Sequence, residues 1–310
     1  MPGEEKRVGW RKDLGWRLEA FAFAGLIAGL RALGVDRASA FGGWLVGKLG
    51  PVTGTQKTVL RNLTLAFPDM SHADRLALAK AQWEQIGRTF AELTQMDRVT
   101  IASGRIEVVG MDRLEAIRDS GKPVVFVSGH LANFEVMSAV ILAAGIPCQI
   151  VYRPANNPYS EEMMRRNRER YGVKLFAPKG GDGARELLAG LARGESAALL
   201  NDQKFDEGPE VRFFGHPVHA APGPTRLAMR FGTVLVPLSV HRLDGARFRF
   251  TVHDPIEVGQ SGDRSTDIRA GVQAVTTFVE ERVREHPADW FWPHKRWPKS
   301  VYAALEPGSA

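Results

Sequence analysis

Short apolar segments alternate with segments of helical periodicity from residue 122 onward, and this alternation is the strongest constraint on the fold. It predicts an α/β domain in which helices flank a largely parallel central sheet. The predicted strands are 123–128, 148–152, 173–176, 196–201, 234–240 and 248–253, and the predicted helices are 71–94, 135–144, 161–171, 182–193, 225–231 and 267–286. The strand at 248–253 alternates apolar and polar residues, which is typical of an exposed edge. Functional side chains are expected at the carboxyl ends of the strands.

The first 50 residues predict a helical segment that associates with a membrane, separate from a main domain at 51–310. Residues 14–34 are largely apolar, but Glu19 interrupts them and no clear cleavage site follows, so a secretory signal is not favoured. The uncharged centre, 20–30, has the length of an interfacial helix, and an ordinary core helix is the alternative. The apolar helical face consists of Trp16, Phe23, Ile27 and Leu30.

Two further features bear on membrane contact. Arg17 and Arg31 flank the apolar centre of the first helix, where long side chains can reach lipid headgroups. Residues 290–297 combine three tryptophans with His294, Lys295 and Arg296, a mixture found at membrane surfaces. Tryptophans packed in the core are the alternative for this second cluster.

The composition and the absence of certain motifs exclude several kinds of functional site. The single cysteine, Cys148, excludes an intrachain disulfide and a cysteine-rich zinc site. His216 and His219 lack a carboxylate at ligand spacing, so no metal site and no cofactor are predicted. The net charge of +6 and pI near 9.6 favour anionic partners. No nucleic-acid-binding signature is present, which leaves acidic proteins and anionic lipids, and no G-x-S-x-G serine hydrolase motif occurs.

The candidate catalytic pair is His130 and Glu135. His130 follows the strand 123–128 directly, and Glu135 comes five residues later, where the next helix begins. Because Gly129 permits a sharp turn, the chain can bring the carboxylate back to the imidazole, fix its tautomer and leave the other nitrogen as a base. The arrangement is that of a serine-histidine-acid catalytic triad without the serine. The nucleophile is therefore expected to come from the substrate, as it does when an alcohol accepts an acyl group. A structural histidine is the alternative.

Four further residues are candidate substrate-binding groups because of their places in the predicted fold, and a fifth, Arg168, is a candidate through the resemblance described below. Arg153 follows the neighbouring strand, so its guanidinium is expected at the same sheet edge, on an oxyanion or a phosphate. Asp202 and Gln203 end another strand, where the aspartate is expected to orient a partner or an acceptor. Asn133 is expected to cap the helix after the histidine loop. Arg168 belongs to a basic helix, whose cations otherwise form a solvated face balanced by glutamates.

The spacing of His130 and Glu135 matches the H-x4-D/E signature of glycerolipid-type acyltransferases. Its surroundings resemble the lipid A biosynthesis lauroyl/myristoyl acyltransferase family, the secondary acyltransferases of lipopolysaccharide, from about residue 14 to residue 298. H-x4-E alone is common by chance, whereas the ordered set of segments is specific. The other matching segments are 61–68 (RNLTLAFP), 151–154 (VYRP), 157–158 (NP), 165–168 (RRNR), 201–203 (NDQ) and 290–297 (WFWPHKRW).

The resemblance implies a glycerol-3-phosphate acyltransferase-like fold, an acyl-carrier-protein thioester as donor and a hydroxyl of an acylated, phosphorylated glucosamine disaccharide as acceptor. It also implies a site at the cytoplasmic face of the inner membrane, His130 as general base oriented by Glu135, and Arg168 facing the active site. Leu131 and Phe134 replace the aromatic residue and the tryptophan most common in the motif, which is expected to alter the acyl tunnel and not the chemistry.

Two alternatives to acyl transfer onto a lipid A precursor stay open. Another anionic lipid, such as a phosphatidylinositol mannoside or an amino-acid-containing lipid, is compatible with the same motif. A non-catalytic membrane scaffold of the same fold is the other, and the intact His130 and Glu135 argue against it.

Overall fold

The computed structural model describes residues 9–152, 154–173, 176–178 and 181–305. In this part of the chain the first strand is preceded by helices α1 (Trp10–Leu33), α2 (Val35–Leu49), α3 (Gln56–Ala66) and α4 (His72–Glu92), with short 3-10 turns at Gly50–Val52 and Leu93–Arg98. Ser71 caps α4, because its Oγ accepts a hydrogen bond from the Asp74 amide at 3.1 Å. The helix predicted at 71–94 is therefore confirmed.

A seven-stranded sheet forms the centre of the described structure. Its strands are β1 (Ile106–Val109), β2 (Val125–Ser128), β3 (Cys148–Tyr152), β4 (Phe176–Pro178), β5 (Ser196–Leu200), β8 (Leu235–Arg242) and β9 (Phe248–Val252), while β6 (Glu210–Phe213) and β7 (His216–His219) form a separate hairpin. The spatial order is β1-β9-β8-β2-β5-β3-β4, and every neighbouring pair is parallel except β8 and β9. The predicted α/β class with a largely parallel sheet is confirmed.

Helices cover both faces of this sheet. They are α5 (Met111–Ser120), α6 (Glu135–Ala143), α7 (Pro158–Glu169), α8 (Gly181–Ala192), α9 (Gly223–Phe231) and α10 (Arg264–Glu285), followed by the 3-10 turn Pro287–Asp289 and the short α11 (Lys299–Ala303). Successive residues of β2 point to opposite faces. Phe126 joins the core beneath α6, whereas Val125 and Val127 join the core beneath α8, α9 and α10. The central strand is thus buried on both sides, which gives it the continuous apolar run seen in the sequence.

Strand β9 lies inside the sheet, so the expectation that residues 248–253 form an exposed edge is wrong. The alternation was correctly recognised, since Phe248, Phe250 and Val252 are fully buried. The other neighbour of β9 is β1, a strand that the sequence reasoning missed. With β1 alongside, β9 is hydrogen-bonded on both sides even though one of its faces is polar.

Helix α1 turns its expected membrane face towards the protein. Leu30 is buried, and Phe23 and Ile27 line a cleft under the helix. Arg31 does not extend towards a headgroup region either: Nη1 and Nη2 lie 2.7 and 2.8 Å from the carboxylate oxygens of Asp97. The large apolar side chains that α1 exposes are Trp10, Leu14, Leu18, Phe21, Leu26 and Leu33. None of the helices in the described part of the chain combines the length and apolarity that crossing a bilayer requires.

Helix α2 packs closely against α4. The two helices cross at Gly42 and Gly87, where a Cβ on Gly42 would lie 2.4 Å from the Gly87 carbonyl oxygen. Glycine is required here because the backbones meet directly. A buried ion pair continues the contact, since Glu92 of α4 binds Arg242 and accepts a 2.6 Å hydrogen bond from Ser39 of α2.

The C-terminal tryptophans belong to the core, so the membrane-surface interpretation of residues 290–297 is wrong. Trp290, Trp292 and Trp297 are almost fully buried. Asn62, in the segment RNLTLAFP, stabilises residues 290–297. Its Nδ2 donates hydrogen bonds to the carbonyl oxygens of Trp292 and His294 at 2.7 and 2.8 Å. Two sequence motifs that are more than 220 residues apart therefore form one structural unit.

Candidate active site

His130 lies just beyond the carboxyl end of β2, in a tight loop that leads into α6. Gly129 lets this loop lie close to its neighbours, because a Cβ there would lie 3.1 Å from Val279 and 3.3 Å from an Asp202 oxygen, and both would have to shift slightly. Ala132 has a left-handed φ of 44°, a conformation that costs free energy outside glycine and recurs at functional sites. The loop is therefore held in shape by its surroundings.

The carboxylate that binds the His130 ring is Asp202, at the end of β5 next to β2. His130 Nδ1 lies 2.7 Å from Asp202 Oδ1, and the His130 amide donates to Oδ2 at 2.8 Å. Since a carboxylate only accepts, Nδ1 carries the proton and Nε2 is left as the basic nitrogen. Burial raises the pKa of the Asp202 carboxyl, but the His130 ring and amide outweigh burial and hold that pKa well below its usual range.

A strap formed by residues 289–291 holds both members of this pair. Trp290 donates its indole N–H to Asp202 Oδ2 at 2.8 Å. The Phe291 amide donates to the His130 carbonyl at 3.2 Å, and the Ala132 amide donates to the Asp289 carbonyl at 2.7 Å. The strap thus fixes the strained histidine loop and supplies one of the hydrogen bonds on which the Asp202 carboxylate depends.

Glu135 does not orient His130, which corrects the prediction made from the motif. Its carboxylate accepts hydrogen bonds from Arg168, with Nη2 at 2.6 Å and Nε at 3.1 Å from Oε1, and from the Tyr171 hydroxyl. The physical reason is the start of α6 at Glu135, which turns that side chain towards α7 and away from the loop before it. Burial and the Glu135 charge raise the pKa of the Tyr171 phenol well above its usual value, so the hydroxyl stays a donor.

Arg168 faces inward, while its neighbours on α7 form a solvated face. Arg165 pairs with Glu162 and Glu169 near the surface, as expected for an exposed ladder of charges. The Arg168 side chain is only 13% exposed, and its guanidinium also lies over the Tyr152 ring at 5.2 Å. Burial by itself would lower the pKa of this guanidinium, but the Glu135 carboxylate outweighs burial and raises it, so Arg168 is a fixed cation.

Three predicted site residues remain: Gln203, Asn133 and Arg153. Gln203 is exposed beside His130 and lines the cavities there. Asn133 points into the core, where its Nδ2 donates to Glu92 at 3.0 Å, so the prediction that it binds substrate or caps α6 is wrong. Arg153 lies outside the described residues. No cluster of three or more metal-binding side chains occurs among the described residues.

Two cavities open at His130. The larger, the catalytic cavity, has a volume of about 510 Å³ and extends from the histidine along the carboxyl ends of β2, β3 and β5. Glu135, Arg168 and Gln203 stand in its polar part, and its apolar part includes Phe126, Met137, Ile150 and Leu238. A smaller one of about 190 Å³ lies between the histidine, Phe134 and Phe291. Ser128, the nearest serine in sequence, donates to the Leu238 carbonyl at 2.7 Å and is not a partner of the ring.

Sequence reasoning missed Trp290 and Tyr171 and gave the wrong partner to the histidine. The signal for Asp202 was present, because it ends a strand and was expected to orient a partner. What was lacking was the strand order, which puts β5 directly beside β2. No local pattern marks a tryptophan that is 88 residues from the carboxylate it binds.

Comparison with known proteins gives a consistent picture. The family model for bacterial lipid A biosynthesis acyltransferases matches residues 14–299. The lipid A biosynthesis lauroyltransferase of Escherichia coli is 27% identical over 252 residues, 78% of each chain. The lipid A biosynthesis acyltransferase of Haemophilus influenzae is 22% identical over 265 residues, 80% of this chain and 79% of that one. A phosphatidylinositol mannoside acyltransferase of Mycobacterium tuberculosis is 25% identical over 209 residues, 66% and 61% of the two chains.

A solved structure, the 1-acyl-sn-glycerophosphate (LPA) acyltransferase of Thermotoga maritima, aligns with a TM-score of 0.37 at 12% identity, over 76% of this chain and 98% of that chain. The family match over residues 14–299 shows that the present chain is an acyltransferase. Its relatives point to acyl transfer onto a lipid. Within that class, the chain belongs to the bacterial lipid A biosynthesis acyltransferase family.

Proposed function

We propose that this protein transfers a fatty acyl chain from an acyl-carrier-protein thioester to a hydroxyl of a lipid A precursor, an acylated and phosphorylated glucosamine disaccharide. The observation that carries the proposal is the hydrogen bond between His130 Nδ1 and Asp202 at the mouth of the catalytic cavity. It leaves Nε2 as a base with no serine hydroxyl or cysteine thiol bound to the ring among the described residues. Such a base suits a substrate that brings its own hydroxyl.

The reaction follows from this geometry. Nε2 of His130 accepts the acceptor's proton as the alcohol oxygen attacks the thioester carbonyl carbon, and Asp202 stabilises the imidazolium. The tetrahedral intermediate collapses by breaking the C–S bond, and His130 returns the proton to the departing thiolate. Asp202 takes the orienting role, because it is the carboxylate on Nδ1. The acyl chain of the donor occupies the apolar part of the catalytic cavity.

Arg168 supplies fixed positive charge to the catalytic cavity, and Glu135 holds it there. Negative charge arises in two ways in the proposed reaction, on the tetrahedral oxyanion and on the acceptor's phosphates. A guanidinium that is already oriented stabilises either without reorganising during the step. Arg153 is proposed for the same task from its sequence position.

The donor and acceptor assignments have separate support. The net charge of +6 favours an acidic carrier protein, whose encounter should weaken as salt rises. The family and the lipid A relatives favour a lipid A precursor as acceptor. The mannoside acyltransferases among the relatives make a phosphatidylinositol mannoside the second candidate acceptor.

We propose that the enzyme acts at the cytoplasmic face of the inner membrane, held there by its N-terminal helices. The support is the exposure of large apolar side chains on these helices: Leu18 and Phe21 of α1, Trp44 of α2 and Val52 are 63%, 80%, 60% and 80% exposed. We propose that they form one apolar face. Large apolar side chains exposed together mark a contact surface. Shallow burial of this face in a bilayer would bring the active site to its lipid acceptor.

The test is product analysis by mass spectrometry. Purified protein is incubated with acyl-carrier-protein thioesters and with vesicles that contain either a lipid A precursor or a phosphatidylinositol mannoside, and His130→Ala serves as the inactive control. We expect acylated lipid A precursor from the wild type and none from the variant. Product from the mannoside alone would establish the second acceptor, and the absence of any acylated lipid would refute the proposal.

A further inference from the structure

A second apolar cleft lies outside the catalytic cavity, between the N-terminal helices and α7. Its volume is about 420 Å³, and its wall is formed by α1, α2, the end of α4 and α7. The side chains that set its character are Phe23, Ile27, Leu45, Val46, Phe90 and Met164. A cavity of this size walled by hydrocarbon fits an elongated apolar ligand.

Most of the polar groups at the cleft's floor are already engaged within the protein, and Asn167 Oδ1 is a buried atom there without a hydrogen-bond partner among the described residues. Thr94 Oγ1 donates to the Ala91 carbonyl at 2.7 Å, and Asn167 Nδ2 donates to the Leu93 carbonyl. Glu135 is taken by Arg168 and Tyr171. Because the lining is otherwise apolar, an occupant gains mainly by burying hydrocarbon.

The floor of the cleft is also a wall of the catalytic cavity. Glu135 and Arg168 line both spaces, so the ion pair of the H-x4-E motif stands between them. His130 lines the catalytic cavity and not the cleft, and Phe90 lies between the cleft and the smaller space beside the histidine. A chain in the cleft would thus end close to the reacting groups without occupying their position.

The cleft also opens at the surface of the N-terminal helices. Two of its lining side chains, Leu26 of α1 and Phe41 of α2, are 53% and 43% exposed. This opening adjoins the surface through which we propose that the protein meets the bilayer, because the Phe41 ring lies 6.0 Å from the ring of the exposed Trp44. A hydrocarbon chain can pass from the membrane into such an opening without crossing water.

We propose that this cleft binds an acyl chain of the lipid acceptor, while the donor chain occupies the catalytic cavity. The donor chain is continuous with the carbonyl that is attacked at His130, so it belongs in the space that the histidine lines. An acceptor that is itself acylated brings separate hydrocarbon, which has to leave the bilayer beside the active site. This assignment rests on the proposed function and adds a second lipid-binding site to it.

The experiment fills the cleft and compares the two substrates. Ile27→Trp narrows the cleft from α1, and Ala28→Trp adds the same bulk to the exposed side of the same helix as a matched control. Leu45→Trp repeats the test from α2, so that a folding defect in one variant does not decide the outcome. Thermal unfolding of each variant is measured alongside.

Three readouts separate the possibilities: hydrolysis of the carrier thioester by water, kcat/KM for the acylated acceptor, and dependence on donor chain length. In Ile27→Trp and Leu45→Trp we expect kcat/KM for the acceptor to fall roughly tenfold or more, mainly through KM. Thioester hydrolysis and donor chain-length preference should match those of Ala28→Trp. A changed donor preference would mean that the cleft holds the donor chain and would overturn the proposal, as would acceptor kinetics equal to those of the control.

A photoreactive probe tests occupancy independently of turnover. A lipid A precursor with a diazirine midway along one acyl chain should label peptides of α1, α2 and α4 in the wild type, and less so in Ile27→Trp. Equal labelling by a diazirine-bearing phosphatidylglycerol, with unchanged acceptor KM in the variants, would identify bulk membrane lipid as the occupant and refute an acceptor site. A wild type that hydrolyses thioester but acylates no lipid would instead refute the proposed function, while labelling of the cleft would still be measurable.

Discussion

His130 Nδ1 lies 2.7 Å from Asp202 Oδ1, so the carboxylate that orients the base comes from the end of β5 and not from the H-x4-E motif. Adjacent parallel strands explain the arrangement, because β2 and β5 end at the same edge of the sheet. Glu135 does not bind the histidine, and it acts on the site through Arg168, whose guanidinium it holds. The two acidic residues consequently have different roles that substitution can separate.

Asp202→Asn should lower kcat by about 10²–10⁴, because the amide cannot stabilise the imidazolium or fix the tautomer as the carboxylate does. Glu135→Gln keeps a hydrogen-bond acceptor for Arg168 and should lose much less. Steady-state kinetics with the thioester and the lipid acceptor measure both. Equal losses in the two variants, or a larger loss in Glu135→Gln, would contradict the assignment of Asp202 to the histidine.

Trp290→Phe should lower turnover while the fold is retained, because it removes the indole donor from Asp202 Oδ2 and keeps an aromatic ring in the core. A hydrogen bond to a charged group contributes about 1.5–3 kcal/mol, so the loss in kcat/KM should be of order tenfold to a hundredfold. The matched control is Trp292→Phe, which also removes the indole hydrogen bond of a buried tryptophan, at 2.6 Å to the Pro287 carbonyl, but leaves Asp202 untouched. Equal turnover in the two variants would assign Trp290 to packing alone.

Arg168→Ala should lower thermal stability as well as turnover, because it leaves the Glu135 carboxylate buried without its cation. Breaking a buried pair typically costs about 3–5 kcal/mol. Arg165→Ala on the same helix removes exposed pairs with Glu162 and Glu169, which solvent screens, and should leave the free energy of unfolding nearly unchanged. Denaturant unfolding of both variants checks this. A stable Arg168→Ala protein that is slow in catalysis would show that Arg168 serves the substrate and not the fold.

Acid should destabilise the protein partly through His294. Burial lowers the pKa of its imidazole from 6.5 to about 4, and its Nε2 is buried without a hydrogen-bond partner among the described residues. Between these two pH values the unfolded chain binds a proton that the folded chain does not, so stability falls as pH decreases, by up to about 1.4 kcal/mol per pH unit. His294→Gln should flatten this decline and leave the slope above pH 7 unchanged. Chemical denaturation at a series of pH values measures it, and an unchanged slope below pH 6 would show that His294 is not the group concerned.

The sequence predicted most of the α/β order because the segments concerned carry strong local periodicity. The strand at 148–152 coincides with β3, and the helix at 135–144 differs from α6 by one residue. The pairing of side chains was predicted less well. His130 and Glu135 are close in sequence, which suggested a pair. Because α6 begins at Glu135, however, the two side chains point in different directions.

Long-range contacts decided the features that the sequence did not reveal. Burial of Trp290, Trp292 and Trp297 depends on Asn62 and on the hairpin of β6 and β7, which are distant in the chain. The same holds for α1, whose apolar residues occur on several sides, so that only packing against α2 and α7 determines which of them are exposed. Amphipathicity identified a helix with an apolar face but not the partner of that face.

The apolar face of the N-terminal helices gives the last prediction. Phe21→Ser combined with Trp44→Ser should weaken binding to anionic vesicles without unfolding the protein, because these side chains are 80% and 60% exposed and contribute little to the core. Burying a large apolar side chain gains about 1.5–3 kcal/mol, so each substitution should lower the partition coefficient roughly tenfold or more.

Vesicle sedimentation of the double variant measures the change, with Leu243→Ser as the control because Leu243 is an exposed leucine on the connection between β8 and β9. We expect the control to sediment like the wild type. A double variant that still sediments fully would contradict a role for this face in membrane binding. Residues 290–297 would not explain that result, since their three tryptophans are buried in the core.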